Sequence, residues 1–337
     1  MKKKLLIISV LVMLVLSLGI GFTFAKEADY VIKLSHGCAE SDPTHLVALR
    51  FKELVSIYTN NRVEVQIYPN NQLGNEQEVA QAVRLGTIQA EILYTGNLQP
   101  LAPSVGVLQL PYIFNNRQET RKVIDAIMDE LNERMIKEAG VRALLYYEKG
   151  FRVLTNSKKP VTKIDDLKGL KIRVSKTAVT IKTFQEWGID PIPMAWDEVF
   201  SALQQRVIDG QENPYSAALA CKFYEIQKYI TEIHYLNWSG PLIISEKYFM
   251  SLPEDIQAAL IRAGKETCEY ITWKVGVDEE IIKKELEKKG MILLGPPEDE
   301  EIWAEKAKAI WSEFYDNIGG KEWAEKVIKV KKEVLGY

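Results

Sequence analysis

Hydrophobic and polar positions alternate over residues 30–36 and 63–67, and apolar residues predominate again over 88–94, which predicts three strands. Between these segments the apolar residues recur every three or four positions. This spacing predicts two helices, the first starting at Asp42 and the second ending at Gly86. The order strand, helix, strand, helix, strand is typical of an α/β lobe, in which helices pack on a sheet.

The same pattern restarts after a helical stretch at residues 120–139. The strands and helices predicted beyond it are strands at 143–147, 152–155 and 170–174, and helices at 180–187 and from 197 to about 208. The chain is therefore expected to form two α/β lobes of similar size, with no sequence repeat between them.

A long helix is predicted in the last third of the chain. From Pro253 to Lys289 there is no further proline, and only Gly264 and Gly276 interrupt a helical spacing of apolar residues. An unbroken helix of this length extends roughly 55 Å at 1.5 Å per residue, which is too long for one small lobe. We therefore expect an α/β fold whose long helix spans both lobes, with lobe I formed by 26–149 plus 239–278 and lobe II by 150–238 plus 279–337.

Residues 1–25 have the organisation of a cleavable signal peptide. Three lysines precede an almost wholly apolar stretch at 5–22, and Ala25 closes a triplet typical of a cleavage site. A membrane anchor is the alternative, because the apolar stretch approaches the length that spans a bilayer. The polar Lys26 and Glu27 directly after the triplet favour removal, so we expect an exported mature chain that is not inserted in a membrane.

Composition and charge argue against a nucleic-acid-binding protein and against a disulfide-rich fold. The 337 residues include 43 Lys+Arg and 46 Asp+Glu, for a formal net charge of -3, and 47% are hydrophobic, as is usual for a folded chain. A nucleic-acid-binding protein would usually carry a basic excess, so no nucleic-acid partner is expected. Cys38, Cys221 and Cys268 are odd in number and widely spaced, which argues against a disulfide framework but leaves one disulfide with one free thiol open.

The sequence contains no motif of a familiar catalytic or cofactor site. It lacks a nucleophile elbow, a zinc-protease motif, a phosphate-binding glycine loop and paired metal-binding cysteines. His36, Cys38 and His45 could be considered as metal ligands, but their spacing matches no common zinc pattern. We therefore expect no metal and no cofactor. An exported enzyme that acts on a small anion, with His36 and Glu76 as the pair to test, is an alternative.

Two arginines stand at positions where a charge is costly. Arg152 begins a predicted strand and Arg173 lies inside another, and a guanidinium is expensive to bury unless it is paired. Each could pair with an acid of the same lobe or point to solvent. The polar segment 210–214 favours a binding role, since a guanidinium together with an Asn amide suits a carboxylate.

Several motifs resemble, in the same order along the chain, those of the solute-binding proteins of tripartite ATP-independent periplasmic (TRAP) transporters, of the dicarboxylate-binding DctP type. The likeness runs from about residue 30 to the end of the long helix. The motifs are YPNNQLG (68–74), LPYIF (110–114), DLKGLKIRV (166–174), PMAWDEVFSALQ (193–204), DGQENP (209–214), KFYE (222–225) and SLPED (251–255). The resemblance implies a two-lobed periplasmic binding protein of type II-like fold, with the ligand cleft between the lobes.

The resemblance also implies roles for residues of the second lobe. Arg173 matches the arginine that grips the ligand carboxylate in this family, and Asn213 matches the asparagine that assists it. Arg152 matches a second pocket arginine. Trp196 stands where the family usually has an aromatic residue that packs on the ligand.

On the first lobe, the resemblance implies that His36, Glu76 and Tyr94 line the pocket at positions that vary with the substrate. Trp238 lies near the crossing back to the first lobe, where a ligand contact and a packing role are both open. These side chains would become ligand contacts when the cleft shuts.

The family pattern implies a periplasmic protein that captures a small organic acid and delivers it to a permease with small and large membrane subunits. We expect a monomer. Sugar acids, short dicarboxylates and hydroxy or keto acids all carry a suitable carboxylate, and Arg152 could meet a second carboxylate or a hydroxyl. A sensor component that presents the same ligand to a receptor would have the same sequence features.

Overall fold

The computed structural model describes residues 28–336, so the predicted signal peptide at 1–25 lies outside the described residues. The strands are β1 (Tyr30–His36), β2 (Val63–Tyr68), β3 (Ala90–Ile92), β4 (Val141–Phe151), β5 (Val153–Asn156), β6 (Ile172–Val174), β7 (Ile192–Pro193), β8 (Gly210–Asn213), β9 (Tyr229–Thr231), β10 (Asn237–Ser245) and β11 (Ile292–Leu293). The helices are α1 (Pro43–Tyr58), α2 (Glu76–Leu85), α3 (Thr95–Leu98), α4 (Arg117–Ala139), α5 (Ala178–Glu186), α6 (Val199–Gln204), α7 (Tyr215–Ala220), α8 (Glu246–Ser251), α9 (Glu254–Lys288), α10 (Glu300–Ala309), α11 (Trp311–Phe314) and α12 (Lys321–Leu335). Within residues 28–336, no helix combines the length and the hydropathy that crossing a bilayer requires.

The strands form two sheets, one in each lobe. The first has the order β2-β1-β3-β10-β4 and the second the order β11-β9-β5-β8-β6-β7. In the first sheet β1 is parallel to β2 and β3, whereas β10 runs antiparallel between β3 and β4. Both faces of this sheet are covered, since Leu242 and Ile244 of β10 join one buried cluster and Ile243 between them joins another. The predicted two-lobed α/β architecture is confirmed.

The start of α2 is fixed by its own sequence. The Asn75 side chain accepts hydrogen bonds from the backbone N–H groups of Gln77 and Glu78, both at 3.1 Å, and the Glu78 carboxylate accepts one from the Asn75 N–H at 3.1 Å. This capping box satisfies N–H groups that have no partner within the helix. Gly86 ends the helix in the left-handed conformation, with φ at 80°. Glu76 is thereby held in the first turn of α2.

The long helix is continuous. α9 has 35 residues and is about 52 Å long at 1.5 Å per residue. It packs on α1 and β4 in the first lobe and on α7 in the second. Its buried apolar residues include Leu260, Ile271 and Leu286, and neither Gly264 nor Gly276 interrupts it. The prediction of a helix that spans both lobes is confirmed.

The chain crosses between the lobes at neighbouring positions. β4 ends at Phe151 in the first sheet and β5 begins at Val153 in the second, so Arg152 lies at a crossing. The Arg152 N–H donates to the Leu236 carbonyl at 2.9 Å, on the segment that leads from β9 back to β10. Two crossings therefore lie side by side, and α9 provides a third.

The C-terminal segment departs from the predicted division of the lobes. The sequence places all of 279–337 in lobe II, but α12 packs on α4 of the first lobe, and Trp323 Nε1 donates to the Ser104 carbonyl at 2.9 Å. α10 does lie on the second lobe, where Trp187 Nε1 donates to the Trp303 carbonyl at 3.0 Å. The helical spacing of α12 shows that it has an apolar face, but not which lobe covers that face.

The two glycines of α9 provide a matched test of its packing. A Cβ at Gly264 would lie 2.1 Å from the backbone carbonyl oxygen of Leu144, whereas at Gly276 the nearest atom is the flexible end of Arg117, at 3.2 Å. We expect Gly264→Ala to lower the free energy of unfolding by about 2 kcal/mol or more, because backbone has to shift. Gly276→Ala should change it by less than about 1 kcal/mol, since alanine has the higher helix propensity. Denaturant titration measures both, and equal effects would contradict the close contact between α9 and β4.

Candidate functional site

Two adjoining cavities lie between the lobes. The inner cavity has a volume of about 40 Å³ and the outer one about 60 Å³, and the two share Glu76, Asn97, Arg173 and Trp196 in their walls. The predicted site residues that line the inner cavity are Glu76, Tyr94, Arg152, Arg173, Trp196, Asn213 and Trp238. The fold thus brings together side chains of both lobes that lie far apart in the sequence.

Arg173, on β6, is buried without a carboxylate partner among the described residues. Its Nε and Nη2 both donate to the Met194 carbonyl, at 3.0 and 2.6 Å, and its guanidinium carbon lies 5.8 Å from the centre of the Trp196 ring. Burial lowers the pKa of Arg173 to about 10; the nearby Glu212 carboxylate opposes this shift, and the positive charge of Arg152 adds to it. At neutral pH the group is still protonated. The Met194 carbonyl orients this cation but does not neutralise it, so it is available to an anion.

Arg152 pairs with an acid of its own lobe. Its Nη2 donates to Glu212 Oε1 at 2.8 Å and to the Glu212 backbone carbonyl at 2.9 Å, and its Nε also bonds the carboxylate. Burial alone would lower the pKa of Arg152, but the Glu212 carboxylate raises it above the ordinary value. Nη1 is buried with no partner within residues 28–336. Arg152 therefore adds no net charge to the cavity but keeps an unused donor.

Asn213 and Trp196 lie on the same side of the cavity as Arg173. Asn213, at the end of β8, donates from Nδ2 to Gln211 Oε1 at 2.7 Å, and the amide has a second N–H. Trp196 is half-buried, packs edge-on against Phe223 at 5.9 Å between ring centres, and lines both cavities. A guanidinium, an amide and an aromatic face therefore form one wall.

The opposite wall carries a carboxylate. Glu76 Oε2 accepts hydrogen bonds from Asn97 Nδ2 at 2.5 Å and from the Tyr94 N–H at 3.3 Å, and donors of this kind favour the ionised form of a carboxyl group. Burial raises the pKa of Glu76, and these two donors oppose that rise. The Tyr94 ring stacks on Trp238 at 5.7 Å, and its buried hydroxyl has no partner in the described part of the chain. This wall therefore offers acceptors and a free hydroxyl.

Lys149, near the end of β4, also lines the inner cavity and was missed by the sequence analysis. Its Nζ donates to both carboxylate oxygens of Asp42, at 3.1 and 3.2 Å, and lies 4.1 Å from the centre of the Trp238 ring. Burial alone would lower the pKa of Lys149, but the Asp42 carboxylate raises it above the ordinary value. The available signal was a lysine two residues beyond the strand predicted at 143–147, which is weaker than a charge inside a predicted strand such as Arg173.

His36 is the predicted site residue that the structure places behind the cavity wall. It is buried at the end of β1, and its Nε2 lies 3.0 Å from His45 Nδ1 on α1. Burial lowers the pKa of His36 to about 4, and His45 acts in the same direction, so the ring is neutral at pH 7. Because its side chain turns toward α1, His36 supports the wall and does not form part of it.

Metal-binding and disulfide chemistry find no support in the part of the chain that the structure describes. Within residues 28–336, no cluster of three or more His, Cys, Asp or Glu side chains could hold a metal ion. Cys38, Cys221 and Cys268 each have a free thiol. His36 and His45 pack β1 against α1, with their ring centres 5.3 Å apart.

A larger groove of about 870 Å³ lies elsewhere on the molecule. Its charged side chains are Arg117, Glu279, Glu300, Glu301 and Lys308. Acids outnumber bases there, so the groove suits an organic anion less well than the cavity at Arg173 does.

The chain is similar to known binding proteins over most of its length. Residues 34–317 match the DctP family, described as bacterial extracellular solute-binding protein, family 7. A TRAP periplasmic solute-binding protein from Rhodobacter sphaeroides, solved in an apo open form, is 59% identical, with a TM-score of 0.78 over 90% of this chain and 99% of that one.

The descriptions of two further relatives name a ligand. A TRAP periplasmic solute-binding protein from Haemophilus influenzae, solved with bound L-gulonate, is 34% identical, with a TM-score of 0.84 over 90% of this chain and 99% of that one. The C4-dicarboxylate-binding periplasmic protein DctP of Rhodobacter capsulatus is 31% identical over 91% of this chain and 92% of its own length. Such proteins bind their ligands and are not enzymes. The chain belongs to family 7 of the bacterial extracellular solute-binding proteins, as a TRAP solute-binding protein of the DctP type.

Proposed function

We propose that this protein captures a small organic acid between its lobes through a pair of hydrogen bonds from Arg173 to the ligand carboxylate. The observation that carries the proposal is a buried guanidinium that lines a cavity and is held by a carbonyl group, not by an acid. A carboxylate compensates such a cation and can accept two parallel hydrogen bonds from it. Asn213 supplies a further donor beside it.

Binding and closure of the lobes depend on each other in this proposal. Arg173, Asn213 and Trp196 belong to the second lobe, whereas Glu76 and Tyr94 belong to the first, so a ligand touches all of them only when the cleft is shut. Closure also removes water and strengthens each charged hydrogen bond. The ligand therefore favours the closed form through contacts that the open form lacks.

The loaded protein then delivers its ligand to a TRAP permease with small and large membrane subunits. Membership of the TRAP solute-binding family supports this role. The bound L-gulonate of the H. influenzae relative and the dicarboxylate in the name of the R. capsulatus relative indicate which ligands to consider. The segment 1–25 would direct export to the periplasm and be removed there. Sugar acids and dicarboxylates are thus the two ligand classes to test first.

Replacement of Arg173 tests the proposed clamp. We expect Arg173→Ala to weaken carboxylate binding by at least about 100-fold, because two charge-assisted hydrogen bonds are lost. Arg173→Lys should also bind poorly, since a point charge cannot replace a planar fork. Arg84→Ala removes an exposed arginine from α2 and serves as the control.

The measurement is calorimetric titration against a panel of sugar acids, dicarboxylates and hydroxy acids, with melting temperatures recorded for each variant. The Arg173 variants should melt within a few degrees of the wild type, because within residues 28–336 this side chain bonds a carbonyl group and has no ion-pair partner to lose. Wild-type affinity in Arg173→Ala would refute the clamp.

Trp196 provides an optical test of where the ligand lies. Its ring lines both cavities and is half-buried, so a ligand that enters should change its fluorescence. We expect Trp196→Phe to remove much of the ligand-induced change, whereas Trp273→Phe, at a residue 62% exposed on α9, should leave it intact. An undiminished signal in Trp196→Phe would show that Trp196 does not face the ligand.

A further inference from the structure

The charges that line the inner cavity can be counted. The acidic and basic side chains that line it are Glu76, Lys149, Arg152 and Arg173. Lys149 and Arg152 each bond a carboxylate of their own lobe, so each forms a neutral pair. One positive charge, at Arg173, and one negative charge, at Glu76, remain. Lys176 lines the outer cavity but is exposed, so water screens its charge.

This arrangement suits a ligand with a single carboxylate. The first carboxylate pairs with Arg173, and a second one on the same small molecule would lie in a cavity that also contains the Glu76 carboxylate. Like charges opposed at close range and shielded from water are strongly unfavourable. Once Arg173 is paired with the first carboxylate, the other cations that line the inner cavity within residues 28–336, Lys149 and Arg152, already have acidic partners. A second carboxylate is therefore disfavoured, whereas a hydroxyl group can donate its proton to Glu76.

Two buried polar atoms indicate what the rest of the ligand carries. Arg152 Nη1 and the Tyr94 hydroxyl have no hydrogen-bond partner among the described residues, and both side chains line the inner cavity. Buried polar groups of this kind nearly always have a partner in the functional state. Arg152 Nη1 needs an acceptor, and Glu76, whose two hydrogen bonds both go to Oε2, can accept a further one. A hydroxyl can serve as either, whereas an ammonium group cannot accept.

We infer, on the basis of the proposed function, that the site selects monocarboxylic acids whose other carbons carry hydroxyl groups, and that Glu76 excludes a second carboxylate. The ligand class is thus that of the sugar acids with a neutral far end. Arg152 and Tyr94 would contact hydroxyl oxygens, and Glu76 would accept a hydroxyl proton.

Matched pairs of acids test this inference on the unmodified protein. D-Erythronate and meso-tartrate differ only in that a terminal CH₂OH is replaced by a carboxylate, and L-galactonate and galactarate differ in the same way. Calorimetric titration should show that the better-bound monoacid exceeds its matched diacid in affinity by at least about tenfold. L-Threonine, a four-carbon acid that carries an ammonium group, should bind less tightly than that monoacid.

The variant Glu76→Gln tests whether the charge of Glu76 excludes a second carboxylate on the ligand. It keeps the size of the side chain and one acceptor oxygen but removes the charge, so the ratio of monoacid to diacid affinity should fall by about tenfold or more as diacid binding strengthens. Glu64→Gln removes an exposed negative charge from β2 of the same lobe and should leave the ratio unchanged. Melting temperatures establish that both variants are folded.

The outcomes separate this inference from the proposed function. Wild-type protein that binds a diacid or L-threonine at least as tightly as the monoacids, through Arg173, would overturn the inference and leave the clamp standing. An unchanged affinity ratio in folded Glu76→Gln would remove Glu76 as the selector and overturn that part of it. If carboxylate binding did not depend on Arg173, the proposed function and the inference would both fall.

Discussion

Three cationic side chains are buried together between the lobes, and their mutual repulsion has to be compensated either within the protein or by a ligand. Arg152 and Lys149 are compensated internally, by Glu212 and Asp42. Among residues 28–336, the hydrogen bonds of the Arg173 guanidinium go to the Met194 carbonyl and not to an acid. The two neutral pairs therefore shape the cavity, and the third cation is the charge that an anion would compensate in the proposed function. In this view the site would be selective because two of its three cations are already neutralised by acids of the protein.

Much of the fold and part of the site could be predicted from the sequence. Local signals such as the Asn75 cap, the Gly86 terminus and the uninterrupted spacing after Pro253 fix helix ends within a residue or two, because they depend on neighbouring residues. Arg173 and Trp196 were predicted for different reasons. Arg173 stands out as a charge inside a predicted strand, whereas Trp196 is identified by its place in a motif that resembles a family.

The remaining features depend on contacts between distant segments. That Arg152 bonds Glu212 and that Lys149 bonds Asp42 could not be read from spacing, since the partners are 60 and 107 residues apart. The direction in which His36 turns follows from how β1 packs on α1, and the lobe that receives α12 follows from which apolar surface α4 leaves uncovered. Periodicity identifies a buried face but not its partner.

The return of α12 to the first lobe adds a connection between α10 and α11 to the three crossings already made near Arg152, near Leu236 and along α9. Two lobes joined by several neighbouring crossings can still rotate about a hinge axis through those crossings, whereas twisting or sliding of one lobe against the other would stretch the connecting segments. Opening would thus be the main motion left to the lobes. If the cleft opens and closes as the proposed function requires, the same two surfaces would meet in the same register each time, and every solute would be compared with one fixed shape.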